Sequence, residues 1–152
     1  MNQRIQWKPL LICLAIPLAV GGLSALITSN SMEAFAALRQ PPLSPPGWVF
    51  PVVWTILYVL MGLASYRFRK DAVSIRLYAG QLLLNFVWPI LFFTAAARLP
   101  ALIELLLLWA LMLWLLLRCY ERDRKAFWLL VPYQLWLTFA AYLNLGVLLL
   151  NM

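Results

Sequence analysis

The sequence predicts an all-α membrane protein: a single domain over residues 1–152, built as a five-transmembrane-helix bundle with a long, proline-rich loop between helices 1 and 2. Three observations predict it. Hydrophobic residues make up 65% of the chain and charged residues only 11%, where a soluble domain carries roughly 25% charged residues. So few charges cannot cover the surface of a soluble fold. Five long apolar runs then follow one another, at residues 9–28, 47–66, 77–97, 99–117 and 126–152, and the only charge within them is Glu104. A helix of about 20 residues crosses a hydrocarbon core about 30 Å thick. Leu-rich runs of this length do not alternate as barrel strands do. Last, the basic residues segregate. Arg4, Lys8, Arg67, Arg69, Lys70, Arg76, Arg118, Arg122, Arg124 and Lys125 fall on one side of five alternating spans, against Arg39 and Arg98 on the other. The positive-inside rule then places the N-terminus in the cytoplasm and the C-terminus outside, for a bacterial plasma membrane. Topology and contact with anionic lipid headgroups account for the net charge of +7, so the charge calls for no nucleic acid.

Span one, with Arg4 and Lys8 ahead of it, has the outline of a signal peptide. Its full transmembrane length and the lack of a compact small-x-small site predict a retained helix. Residues 29–46 form the one long connection. The stretch SMEAFAALRQ predicts a short helix with Ser31 as N-cap and Glu33 in its first turn, ended by Pro41 and Pro42. Pro45 and Pro46 hold the chain extended into span two, and Pro51 sets a slight kink that turns Trp54 inward. About seven to ten residues are expected between spans two and three, very few between three and four, and about seven between four and five.

Polar and aromatic residues recur in steps of three and four, which puts them on one helical face. Span one offers Pro17, Gly21, Ser24 and Thr28. Span two offers Pro51, Trp54, Tyr58, Gly62 and Ser65. Span three carries Gln81, Asn85, Trp88 and Phe92, and span five carries Tyr133, Trp136, Ala140 and Asn144. Amides in a bilayer face the bundle interior, so these four faces are expected to converge. Small residues there also serve plain helix packing, the simpler account of Gly21, Gly62 and Asn144. Trp7, Trp48 and Trp128 lie near span ends and fit interface belts. Trp54 and Trp136 lie a turn or two deeper, and large rings around a few polar groups describe an apolar ligand pocket. Span four, nearly featureless Leu, is expected to face lipid or a second copy. Glu104 is expected to reach the interface or pair with Arg98. Cys13 and Cys119 read as small buried hydrophobes.

Much chemistry is excluded. The chain has no histidine, hence no His-based triad, His-type zinc site or His-ligated haem. Four of its five carboxylates flank the spans, which leaves no acid–base pair for the core. No Gly-rich phosphate loop is present.

Three segments together resemble the TspO/MBR family, the tryptophan-rich sensory protein and translocator protein (peripheral benzodiazepine receptor) family. PPGWVFPVVWTILYVLMGLASY resembles its proline-led second helix at Pro45, Pro46, Trp54, Leu57 and Tyr58. QLLLNFVWPILFF matches a Gln-x-x-x-Asn-x-x-Trp-Pro-x-x-Phe-Phe pattern at Gln81, Asn85, Trp88, Pro89, Phe92 and Phe93. VPYQLWLTFAAYLN matches at Pro132, Tyr133, Trp136, Ala140, Leu143 and Asn144. The resemblance implies a five-helix bundle, commonly a homodimer, with a cavity beneath the first loop that takes porphyrins and other flat apolar molecules. It requires no cofactor; porphyrin enters as ligand. The implied ligand-binding residues are Phe35, Leu43, Trp54, Tyr58, Asn85, Trp88, Phe92, Trp136 and Ala140. The implied role is sensing or regulating tetrapyrrole or stress metabolism. Alternatives are light-dependent porphyrin degradation, with Trp54 and Trp136 as the photochemically active rings, or transport of small lipophilic molecules. The chain departs from the family in the loop: Ala34 and Leu43 replace tryptophans, Phe35 replaces Tyr and Gln40 replaces Lys. The segment from Leu143 to Gly146 lacks the Tyr and basic residue of the animal cholesterol motif.

Overall fold

A computed structural model describes residues 4–152. Its helices are α1 (Trp7–Thr28), α2 (Met32–Ala36), α3 (Val49–Phe68), α4 (Ala72–Pro89), α5 (Arg98–Arg122) and α6 (Arg124–Leu150). A 3₁₀ turn, Ser29–Ser31, joins α1 to α2, and a π-helical turn, Ile90–Thr94, follows α4. Five helical segments are long and apolar enough to cross a membrane, α1 and α2 counting together as the first. The five expected spans are therefore present.

The spans pack as a closed ring. α1 touches α3 and α4, α4 touches α5, α5 touches α6, and α6 returns to α3. Close approach of α1 to α3 depends on Gly62. A Cβ there would lie 2.8 Å from the carbonyl oxygen of Cys13, nearer than non-bonded atoms tolerate. The interior holds the expected stripes: Pro17, Ser24 and Thr28 of α1, Tyr58 and Ser65 of α3, Gln81, Asn85 and Trp88 of α4, and Tyr133, Ala140 and Asn144 of α6 are all buried. In a bilayer, where water is absent, polar groups gain most by facing one another.

Several expectations are corrected. Three residues, not seven to ten, separate α3 from α4, and Asp123 alone separates α5 from α6. Arg and Lys are good helix formers, so the helices continue through their charged flanks to the interface. The short loop helix ends at Ala36, ahead of Pro41 and Pro42, and the Ser31 hydroxyl makes no cap bond. Pro51 lies in the first turn of α3, where a missing N–H costs little. Span four leaves an apolar outer face exposed at Leu106, Leu107, Trp114 and Leu117, and it also has an inward stripe. α5 buries Ala101, Glu104, Leu105, Leu108, Met112, Leu115, Leu116 and Cys119 along one stripe. Glu104 is 8% exposed and has no hydrogen-bond partner among the described residues. It does not pair with Arg98, because six residues of helix place the two side chains about 120° apart around the axis. The Arg98 carbonyl instead accepts from Asn144 Nδ2 at 3.0 Å. Cys119 is buried and Cys13 half-buried, both free thiols.

Candidate ligand-binding site

The centre of the ring is a hydrogen-bonded chain of side chains from α3, α4 and α6. The Tyr58 hydroxyl donates to Asn85 Oδ1 at 2.8 Å. Asn85 Nδ2 donates to the Tyr133 hydroxyl at 2.7 Å, which donates in turn to Gln81 Oε1 at 3.0 Å. Gln81 Nε2 faces the Met61 sulfur at 3.6 Å. Gln81 and Asn85 are one helical turn apart on α4, so both reach the tyrosines that α3 and α6 bring across. A second amide chain lies nearer the loop: Trp88 Nε1 donates to Asn144 Oδ1 at 3.1 Å.

An aromatic corner flanks the first network. The Trp54 ring stacks on Tyr58 with centroids 5.5 Å apart, and meets Tyr133 and Trp136 edge-on at 6.1 and 6.4 Å. Phe50 and Phe139 extend this corner through Trp136. Gly21 of α1 lies against the far side of Tyr58, and any side chain there would enter the phenol ring. Between α3 and α6, an apolar groove of about 390 Å³ runs over Val53, Ile56, Leu57, Pro132, Leu135, Trp136 and Phe139. The Trp136 Nε1 atom is buried and has no acceptor among the described residues.

A second aromatic cluster sits under the loop. Phe35 of α2 meets Phe92 at 5.5 Å and Phe93 at 4.9 Å, and Trp88 stacks on Phe92 at 5.1 Å. Pro89 prepares this cluster. It has no N–H to offer the Asn85 carbonyl, and the chain continues as a π turn closed by Ala95 N–H to the Ile90 carbonyl at 2.8 Å. Wider turns of this kind mark functional sites often, and here the turn brings Phe92 and Phe93 beneath Phe35.

The loop itself is fastened to α6. The backbone N–H of Arg39 donates to Asn151 Oδ1 at 3.0 Å, and Asn151 Nδ2 returns a bond to the Arg39 carbonyl at 2.9 Å. The Tyr142 hydroxyl donates to the Pro42 carbonyl at 2.6 Å. Pro41 is buried and rests on Gly146, where a Cβ would come within 2.5 Å of its ring. Leu43 stands apart, 85% exposed and at φ 67°.

Of the sequence-predicted residues, Trp54, Tyr58, Asn85 and Trp136 thus form one group, and Phe35, Trp88 and Phe92 form the other. Ala140 is buried on the same face of α6 as Trp136 and Asn144. Leu43 is not brought to either group. Sequence reasoning did not place Tyr133 and Gln81 in the site, although both stood in its stripes; the signal was their step from Trp136 and Asn85. The strap through Tyr142, Gly146 and Asn151 had no periodic signal.

The opposite, basic end carries two bidentate ion pairs. Arg118 Nε and Nη2 each donate to Asp71 at 2.8 Å. Arg67 binds Asp123 through Nε at 3.0 Å and Nη2 at 2.8 Å. Asp123 also caps α6, accepting the N–H groups of Lys125 and Ala126. Hydrogen bonds from Arg118 and Ser74 hold the Asp71 carboxyl well below the usual aspartate range. At Asp123, burial works upward, but the Arg67 bond and the cap bonds outweigh it and lower the pKa.

Five helices closed around aromatic rings and paired amides, with a loop strapped over one end, define a multi-pass integral membrane protein with an interior aromatic–amide site. Comparison with known proteins gives the family. The TspO/MBR family model matches residues 13–150, and the chain belongs to that family. It is 36% identical to the tryptophan-rich protein TspO of Chlorobaculum tepidum, over 99% of each chain. It is 37% identical to the bovine translocator protein, over 91% of this chain and 87% of that one. It is 33% identical to the tryptophan-rich sensory protein of Cereibacter sphaeroides, over 97% and 94% respectively.

Proposed function

We propose that the protein binds a porphyrin, another tetrapyrrole or a similarly flat apolar molecule within its helix bundle, and acts as a sensor or regulator of tetrapyrrole or stress metabolism. One observation carries the reading: Trp136, edge-on to Trp54, borders an apolar groove and keeps a buried indole N–H with no acceptor among the described residues. Burying such a donor unpaired costs about 1–3 kcal/mol. A ligand nitrogen or carbonyl lying in the groove would satisfy it, with apolar contact from Val53, Leu57 and Phe139 along the groove. The other expected contacts lie deeper: Tyr58 and Asn85 in the hydrogen-bonded core, Phe35, Trp88 and Phe92 under the loop, and Ala140 on the inner face of α6, so a ligand would meet them only on passing between α3 and α6. The relatives' names, sensory protein and translocator protein, agree with ligand recognition in a membrane. The ten-to-two division of basic residues supports an N-terminus in the cytoplasm, and family resemblance supports a homodimer.

The test is a titration of the purified protein with protoporphyrin, following the porphyrin absorbance band. Saturable binding is expected, weakened about 2- to 10-fold in Trp136→Phe, as for loss of one hydrogen bond. Trp114→Phe, on the exposed face of α5, serves as control. Absence of saturation, or equal affinity in all three proteins, overturns the proposal.

The proximity of Trp54, Trp136, Tyr58 and Tyr133 favours a second reading, light-dependent breakdown of a bound porphyrin. These rings can pass electrons to an excited ligand, and dissolved dioxygen would be the oxidant that opens the macrocycle. Illumination would then bleach porphyrin in the wild type and spare it in Trp136→Phe; equal bleaching removes that role.

A further inference from the structure

The basic end of the ring encloses a separate cleft of about 350 Å³, lined by Arg67, Phe68, Lys70, Asp71, Ser74, Cys119, Arg122 and Asp123. It lies where α3 and α5 end and α4 and α6 begin, at the mouth of the ring. Phe68, edge-on to Tyr78 at 5.6 Å, lies between it and the core. Its electrostatics are asymmetric. Both carboxylates are consumed: Asp71 by the two-point grip of Arg118 and by the Ser74 hydroxyl, Asp123 by Arg67 and two backbone N–H groups. Lys70 and Arg122 have no carboxylate within ion-pairing distance among the described residues. Lys70 and Arg122, both exposed, therefore bring to the cleft two cations without an ion-pair partner among the described residues.

We propose that this cleft is an oxyanion site that takes a phosphate group, held by Lys70 and Arg122. The paired aspartates do not repel such a guest strongly, since each already carries a guanidinium partner. Charge-assisted bonds from Lys and Arg to phosphate are short and strong, and basic pockets at the ends of membrane helices suit phosphate headgroups. The phosphate can come from an anionic phospholipid or from the aqueous phase, and the cleft is independent of the aromatic site.

The experiment uses the full chain in nanodiscs at constant ionic strength, with thermal unfolding as readout. One arm adds inorganic phosphate to phosphatidylcholine discs; the other replaces part of the lipid with phosphatidylglycerol and adds none. A saturable rise in Tm in the first arm assigns a soluble phosphate; a rise only in the second assigns the lipid. In Lys70→Ala/Arg122→Ala the half-saturation point should move up about ten-fold or more, near what two surface cations contribute. Lys70→Arg/Arg122→Lys, which keeps both charges, should retain the response. Arg39→Ala/Arg98→Ala, equal in charge but at the opposite end of the bundle and outside the cleft lining, should also retain it. No saturation in either arm, or equal loss in the two alanine pairs, overturns the site.

Discussion

Tyr133 is the residue through which the interior is joined. Its one hydroxyl accepts from Asn85 and donates to Gln81, so α4 and α6 are connected twice by a single oxygen. Removing it in Tyr133→Phe leaves a buried donor and a buried acceptor without partners, at about 1–3 kcal/mol each. A clear drop in thermal stability in detergent is expected; an unchanged Tm would mean the amides find other partners. Leu43 is the opposite case. A left-handed backbone costs a Cβ-bearing residue about 1–2 kcal/mol, and Leu43 buries almost nothing in return. Leu43→Gly should therefore raise Tm, or leave it level where Gly adds entropy to the unfolded chain. A fall would show that the leucine side chain has a partner of its own. The residue types at both positions were plain in the sequence, and so was the family's tryptophan at Leu43. Its outward direction was not, because direction at a loop tip depends on φ, which no periodicity reports.

At the scale of elements, the five spans and their inward faces were legible because a bilayer forces them: length sets the span, and polar side chains must meet. Connections were less so. Charged flanks looked like loops, yet Asp123 alone turns the chain from α5 to α6. Its backbone N–H closes the end of α5 on the Cys119 carbonyl, and its side chain caps α6 and grips Arg67 of α3. Asp123→Ala removes cap and ion pair together, and loss of the cap alone costs about 0.5–2 kcal/mol. Hydrogen exchange should quicken in the first turn of α6 while the middle of α4 stays protected; uniform exchange in both would contradict a local role. Glu104 was misplaced because its near neighbours are all aliphatic. A uniform apolar helix gives no hint of which stripe turns inward, and only contact with α4 and α6 decides it.

For the whole molecule, the basic end is held by two ion pairs that respond to pH alike. Folding keeps the Asp71 carboxyl below the 3.8 of a free side chain. Its contribution is complete above that value and drains away as the pH falls toward the folded one. Asp123 shifts in the same direction. Stability should thus be nearly flat from pH 7 to 5 on account of these pairs, and decline below about 4. Arg118→Gln should lose much of that acid-side decline, measured as Tm against pH. A decline of wild-type size in the variant would assign acid sensitivity elsewhere. The cross-links themselves were hidden in the sequence, since Asp71 and Arg118 are 47 residues apart and only the ring order brings α4 beside α5.

The strap at the other end has a mechanical consequence. Asn151 Nδ2 donates to the Arg39 carbonyl and also to the Val147 carbonyl, one turn back in α6. The amide that fastens the loop is therefore the same amide that closes the end of the last helix. Fraying of that final turn and loosening of the loop at Arg39 are thus coupled through one side chain 112 residues away, while Tyr142 and Gly146 hold the rest of the loop from points further back in α6.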